Sequence, residues 1–198
     1  AVPITDDTAA HLIIEVDGNN MDVLMSEMES IGNLLTQYDI GEIYFAEDAA
    51  QKTELWKLRR RAAEAVKSIG FTIEEDTVVP RAELPALIKG VKALGVKHDF
   101  EVVCYGHAGD GNLHVRIRKQ GIPNSYGNEP MNKVLRELFE LVHSLGGTIS
   151  AEHGIGLIQK SFTDIVFDKA NLRLMRAIKL GFDPNNILNA GKIFDLAD

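Results

Sequence analysis

At 198 residues and 45% hydrophobic content, the chain is long enough to bury one large core or a compact pair of units, and too apolar to be disordered. Its 29 acidic against 21 basic residues leave a net charge of -8, which argues against nucleic acid, whose binding needs a basic surface to displace counterions from phosphates. A single cysteine, Cys104, excludes an intrachain disulfide framework and fits a reducing compartment, and no apolar run approaches the roughly 20 residues that span a bilayer.

The first residues, Ala1-Val-Pro-Ile-Thr-Asp-Asp7, carry neither the basic region nor the apolar stretch of a signal peptide. They also lack an initiator Met, so a piece of a longer chain is expected. Residues 11–17 read as a strand, with Leu12, Ile13, Ile14 and Val16 clustered and Asp17-Gly-Asn-Asn20 as the turn that ends it. Over residues 21–38, Met21, Leu24, Met25, Met28, Ile31, Leu34 and Leu35 recur at three and four residues, which predicts a helix with one buried stripe. Residues 42–46 read as a second short strand, and residues 49–69 as a long helix free of Gly and Pro. Within that helix Lys57-Leu-Arg-Arg-Arg61 spreads its charge round the cylinder rather than into one patch.

Residues 71–79 read as extended and closed by Pro80, and the spacing of Leu84, Leu87, Ile88, Val91 and Leu94 predicts a helix over 84–94. A strand over 100–105 turns at Asp110-Gly111 into a second strand running to Arg118, followed by a Gly, Pro and Asn-rich loop over 120–130. Residues 131–145 form an amphipathic helix ended by Gly146-Gly147, and residues 148–151 an extended segment that leads to Glu152. The remainder is mainly helical. Strands separated by helices, with a hairpin among them, give an α+β fold of ferredoxin-like character: a mostly antiparallel sheet covered by helices, with a helical C-terminal region. The 198 residues are read as one domain.

Two short stretches concentrate the chemistry: Tyr105-Gly-His-Ala-Gly-Asp-Gly-Asn-Leu-His-Val-Arg116 and Ser150-Ala-Glu-His-Gly-Ile-Gly156. A two-residue turn at Asp110-Gly111 sets His107 directly opposite His114, close enough for two imidazoles to converge on one ion, with Tyr105 and Arg116 on the same face and Cys104 on the other. A packed, hydrogen-bonded histidine pair answers the same spacing. A catalytic ion usually takes three protein ligands, and Glu152 is the natural third; such a nitrogen-rich set with one carboxylate suits Zn²⁺, Fe²⁺ or Mn²⁺. In an extended segment Glu152 and His153 point to opposite sides, so one ligates while the other reaches substrate. His11, His98 and His143 show no such pairing.

Gly-His-Ala-Gly-Asp-Gly-Asn-Leu-His, Ser-Ala-Glu-His-Gly-Ile-Gly and Phe182-Asp-Pro-Asn-Asn-Ile-Leu-Asn-Ala-Gly-Lys-Ile-Phe194, in this order, resemble the C-terminal domain of FAD-linked oxidases. That family includes glycolate oxidases, D-lactate dehydrogenases and D-2-hydroxyglutarate dehydrogenase. Trp56-Lys-Leu-Arg59 and Asp76-Thr-Val-Val-Pro-Arg81 add weaker matches. The resemblance implies that His107, His114 and Glu152 hold a divalent metal and that His153 is the base beside the flavin. It further implies that Arg59 binds the substrate carboxylate and that Asn189 and Lys192 lie where the C-terminal tail returns to the flavin. Arg116 and Glu74 stand where hydroxyglutarate-specific relatives have Asn and Lys, which brings the pattern nearer the glycolate and D-lactate branch; Arg116 then becomes a second candidate for a substrate carboxylate.

No Gly-x-Gly-x-x-Gly between a strand and a helix and no Walker loop offers a phosphate cradle, so FAD is expected to be held mainly by an N-terminal domain outside these residues. The resulting expectation is the substrate- and metal-binding cap of a 2-hydroxy-acid oxidoreductase whose electron acceptor is unknown. It is placed in the cytoplasm or peripherally at a membrane through that acceptor, with a homodimer left open. A metal hydrolase using the same three ligands, or a non-catalytic ferredoxin-like module, are the competing readings.

Overall fold

The computed structural model describes residues 12–46, 48–68, 70, 73–119 and 127–196. They fall into two compact units, Ala1–Glu64 and Ala65–Asp198.

The first unit carries helix α1 (Met21–Leu35) and most of α2 (Ala49–Ser68). Asn20 caps α1 because its side-chain oxygen accepts the otherwise unpaired N–H groups of Asp22 and Val23, at 2.9 and 3.3 Å. The stripe expected to be buried along α1 is not: Met21, Met25 and Leu34 are exposed, and Leu24, Met28, Ile31 and Leu35 reach only half-burial. The two strands expected at 11–17 and 42–46 are also corrected. Residues 12–18 and 41–46 have no regular structure, and the apolar side chains of Leu12, Ile43 and Phe45 remain exposed. A strand persists by pairing, and among the described residues neither run has a partner strand.

The second unit is built on three antiparallel strands, β1 (Ile73–Val78), β2 (Glu101–His107) and β3 (Asn112–Arg118), in the order β1-β3-β2. Helix α3 (Leu84–His98) connects β1 to β2, and α4 (Glu129–Ser144) follows β3. After α4 the chain touches β1 again through one antiparallel bridge, Thr148 to Val78. The path is that of a split β-α-β-β-α-β unit whose fourth strand is reduced to a single bridge, which agrees with the α+β expectation. α5 (Thr163–Val166) and α6 (Lys169–Phe182) complete the helical C-terminal region.

Side-chain alternation splits the sheet into two chemically different faces. Ile73, Leu113, Val115 and Ile117 point to the helices and join Leu87 and Val91 of α3 and Met131, Leu135, Leu138 and Phe139 of α4 in one core. Each such buried apolar side chain contributes about 1.5–3 kcal/mol, which fixes the strands' register because a one-residue slip would turn the whole set outward. Beside the core Lys97 and His98 of α3 both donate to Glu137 of α4, at 2.8 and 2.9 Å. The opposite face carries Glu74, Asp76, Tyr105, His107, Asn112, His114 and Arg116.

Candidate metal centre

The hairpin register differs from a two-residue turn. Tyr105 pairs with His114 and His107 with Asn112, so four residues, 108–111, make the connection. The turn is held open from outside: Gly111 adopts φ +82, its carbonyl accepts the Val79 N–H at 3.1 Å, and a Cβ there would lie 2.0 Å from the Val79 oxygen. The partners move by two residues, and with a side-chain period of two that leaves every residue on its expected face. His107 and His114 therefore meet diagonally, ring centroids 6.1 Å apart, rather than head-on. Cys104 faces the core, and burial pushes its thiol up to about 11.

The segment from Ile149 to His153 is not extended either. Beyond the bridge at Thr148 the chain bends, and the N–H groups of Ala151, Glu152 and His153 converge on Oδ2 of Asp76 at 3.1, 2.7 and 2.8 Å. The bend overrides strand alternation, so Glu152 and His153 both reach His114. Glu152 Oε1 lies 3.6 Å from His114 Nε2, and the His153 and His114 ring centroids are 5.5 Å apart. One ligand atom from each of His107, His114 and Glu152 lies within 4.8 Å of the others. His107 and Glu152 are exposed while His114 is 7% exposed, a buried floor under two accessible side chains.

The surroundings set the charge states. Burial, the largest influence, pulls His114 below its ordinary value, with the Asp76 and Glu152 charges opposing and His153 and His107 reinforcing, so its ring is neutral and carries a lone pair near pH 7. Burial alone would raise the Asp76 carboxyl. The bonds from His153, Glu152 and Asn112 and the nearby His153 ring outweigh it and hold the group below its ordinary value. His153 turns Nδ1 toward Asp76 at 4.0 Å and Nε2 toward Glu152 Oε1 at 3.9 Å.

Arg116 is on the histidine face as expected but 3% exposed, and its guanidinium is occupied: it donates to Glu74 and to the Tyr105 hydroxyl. Tyr105 donates in turn to Glu74 Oε1 at 3.2 Å, and the same oxygen lies 3.3 Å from His114 Nδ1, a buried nitrogen without an aligned hydrogen bond. Arg59 lies exposed on α2, in the first unit. Asn189 and Lys192 are exposed in the C-terminal tail, where the Lys192 ammonium donates to Asn189 Oδ1 at 2.8 Å. That tail is shaped by Asp183, which accepts from Lys179 and from the N–H groups of Ile187 and Leu188, at 3.0 and 2.8 Å for the two amides.

Three neighbours of the site are not singled out by sequence alone as contacts of the histidines: Glu74, Asp76 and Asn112. The signal is present but ambiguous. Glu74-Glu75-Asp76 places three acids in a row, and only pairing with β3 shows that 74 and 76 join the histidines while Glu75 turns into the core to accept from Gln159 at 2.9 Å.

Nearly the whole chain is similar to known proteins. The family described as FAD linked oxidases, C-terminal domain, matches residues 2–193. Glycolate oxidase subunit GlcD of Bacillus subtilis (strain 168) is 35% identical over 93% of the chain and 39% of its own length. A D-2-hydroxyglutarate dehydrogenase of Stutzerimonas stutzeri (strain A1501) is 31% identical over 97% of the chain and 42% of its own length. A D-lactate dehydrogenase of Anaerostipes hadrus is 30% identical over 93% of the chain and 39% of its own length. The chain thus spans about two fifths of the length of these relatives. Among the described residues no helix is long and apolar enough to cross a membrane.

Proposed function

The chain belongs to the family of FAD linked oxidases, C-terminal domain, and from that we propose that it is the substrate- and metal-binding part of an oxidoreductase converting a D-2-hydroxy acid to the 2-oxo acid. The observation that carries the reading is the convergence of His107, His114 and Glu152 with His153 beside them. Two imidazoles and a carboxylate are a three-ligand set that leaves a position for substrate. The 3.6 Å between His114 Nε2 and Glu152 Oε1 exceeds a hydrogen bond and is close to the roughly 3.3 Å that two ligands make across a tetrahedral ion with bonds of about 2.0 Å. The residues present fit a divalent cation.

Such an ion supplies Lewis-acid polarisation of the substrate hydroxyl oxygen, and FAD, held mainly by a domain outside these residues, supplies the acceptor for the hydride leaving Cα. His153 takes the hydroxyl proton on Nε2, the ring nitrogen that faces Glu152. Arg59 enters as carboxylate clamp on the strength of the Trp56-Lys-Leu-Arg59 motif. Arg116 is the second clamp, reached by a substrate carboxylate that competes with Glu74 for the guanidinium. Asn189 and Lys192 contribute to the flavin side through the tail.

The test is elemental analysis of the complete purified protein with steady-state assays on glycolate, D-lactate and D-2-hydroxyglutarate. Stoichiometric Zn, Fe or Mn and turnover of at least one acid are expected, and His153→Ala lowers kcat on the order of 10²–10⁴-fold. A protein free of these metals that turns over all the same would overturn the ligand assignment.

A further inference from the structure

The geometry points to Asp76 as the positioning residue that assembles this centre, a role distinct from that of the ligands and the base. The inference rests on the metal-site reading above. Asp76 is 1% exposed, yet among the described residues no lysine or arginine pairs with it; its two oxygens are satisfied by donors from two other segments of the chain. Oδ2 accepts three successive backbone N–H groups, from residues 151, 152 and 153, a concavity of amides that holds an anion. Oδ1 accepts Asn112 Nδ2 at 2.6 Å, and that amide also donates to the Thr77 carbonyl at 3.1 Å. A further strap runs from the Ala151 N–H to the Asp76 carbonyl at 3.0 Å.

One buried carboxylate on β1 therefore ties the 151–153 segment, which supplies Glu152 and His153, to the hairpin that supplies His107 and His114. Asn112 opens β3, which carries His114 two residues on, and it pairs with His107 across the hairpin. Residues 152 and 153 are the ligand and the base themselves. The bend that defeats strand alternation, and so lets Glu152 and His153 both face His114, is the bend whose amides Asp76 collects. Without an acceptor there, three neighbouring N–H groups would be left pointing at one another, and the segment would relax toward extended geometry with Glu152 and His153 on opposite sides.

Asparagine at 76 keeps the volume but offers one acceptor oxygen where two are used, and its amide would oppose either Asn112 or the three N–H groups. The test compares the complete flavin-loaded protein with its Asp76→Asn variant by Zn²⁺ titration against a chelating indicator, together with amide exchange at residues 151–153. Expected are a 10- to 100-fold weaker Zn²⁺ affinity, as for loss of a group that orients ligands, and faster exchange at those three amides. Thr77→Val controls for stability alone. It removes a buried hydrogen bond to the Leu113 carbonyl from the neighbouring position on the core face, and should destabilise the fold while leaving Zn²⁺ affinity unchanged. Should Asp76→Asn fail to fold, Asn112→Ala, which cuts only the strap to the hairpin, carries the same comparison with a smaller expected loss. Unaltered Zn²⁺ affinity and unaltered exchange in a folded Asp76→Asn or Asn112→Ala protein would overturn the assignment. Absence of Zn²⁺ binding by the unaltered protein would instead overturn the metal-site reading on which it rests.

Discussion

Arg116 and Glu74 sit two residues from His114 and Asp76 on one face of the sheet, and the ion pair between them decides what that part of the site offers a ligand. A free guanidinium would hold a second substrate carboxylate; one already bound to Glu74 and Tyr105 does so only by displacing a charge-assisted bond of about 1.5–3 kcal/mol. Glu74→Gln keeps the shape and removes the competing charge. It should improve kcat/KM for D-2-hydroxyglutarate relative to D-lactate by on the order of tenfold, read from paired steady-state assays, and an unchanged ratio would show that Arg116 does not meet the substrate. At this scale two short glycine-flanked motifs pointed to His107, His114, Glu152 and His153, and the structure brings these four side chains together. Asp76 was hidden for a physical reason: its importance lies in accepting backbone amides from 75 or more positions away, and no side-chain pattern records that.

Among the elements, helices α3 and α4 and strands β2 and β3 were legible from periodicity and from the glycines that end or turn them, and of α6 only the helical character of the C-terminal region was. What failed was whatever depended on a distant partner. The apolar runs at 11–17 and 42–46 have strand composition but no strand to pair with among the described residues. The turn after β2 is longer than Asp110-Gly111 predicts because Gly111 is bound to Val79, outside the hairpin. Gly111→Ala tests that cause. A Cβ at φ +82 and 2.0 Å from the Val79 oxygen combines backbone strain with a clash against main chain, so a loss of at least about 2 kcal/mol is expected by denaturant unfolding. Gly109, where a Cβ would meet nothing within 4 Å, should accept alanine with little change. Equal tolerance at both positions would mean that the turn is not pinned by Val79.

For the whole molecule, the fold class followed from the order of elements, whereas the exposure of the apolar stripe of α1 and the reduction of the fourth strand to one bridge did not, since burial and pairing are properties of neighbours. Its pH response has a definite sign. Glu137 is held at about 2 by donation from Lys97, then from His98, and Asp76 also lies below its ordinary value. A carboxyl depressed on folding contributes stability that is full above its unfolded value and is lost as pH falls through its folded one. His114, depressed from 6.5, acts in the same direction from a higher pH, because the unfolded chain takes up its proton first. Denaturant midpoints should therefore fall steadily from about pH 7 to about pH 3, with no gain in stability on acidification; a midpoint that rises toward acid would contradict these assignments. Whether this chain presents a hydroxy acid to a flavin through His107, His114, Glu152 and His153 is decided by anaerobic reduction of the bound FAD. The complete protein and its His114→Ala variant, matched for FAD content, are mixed with D-lactate or glycolate while the visible flavin absorbance is followed. Bleaching by at least one acid in the unaltered protein, with loss of that reduction in His114→Ala while FAD is retained, is the predicted result; equally fast bleaching in the variant would contradict it.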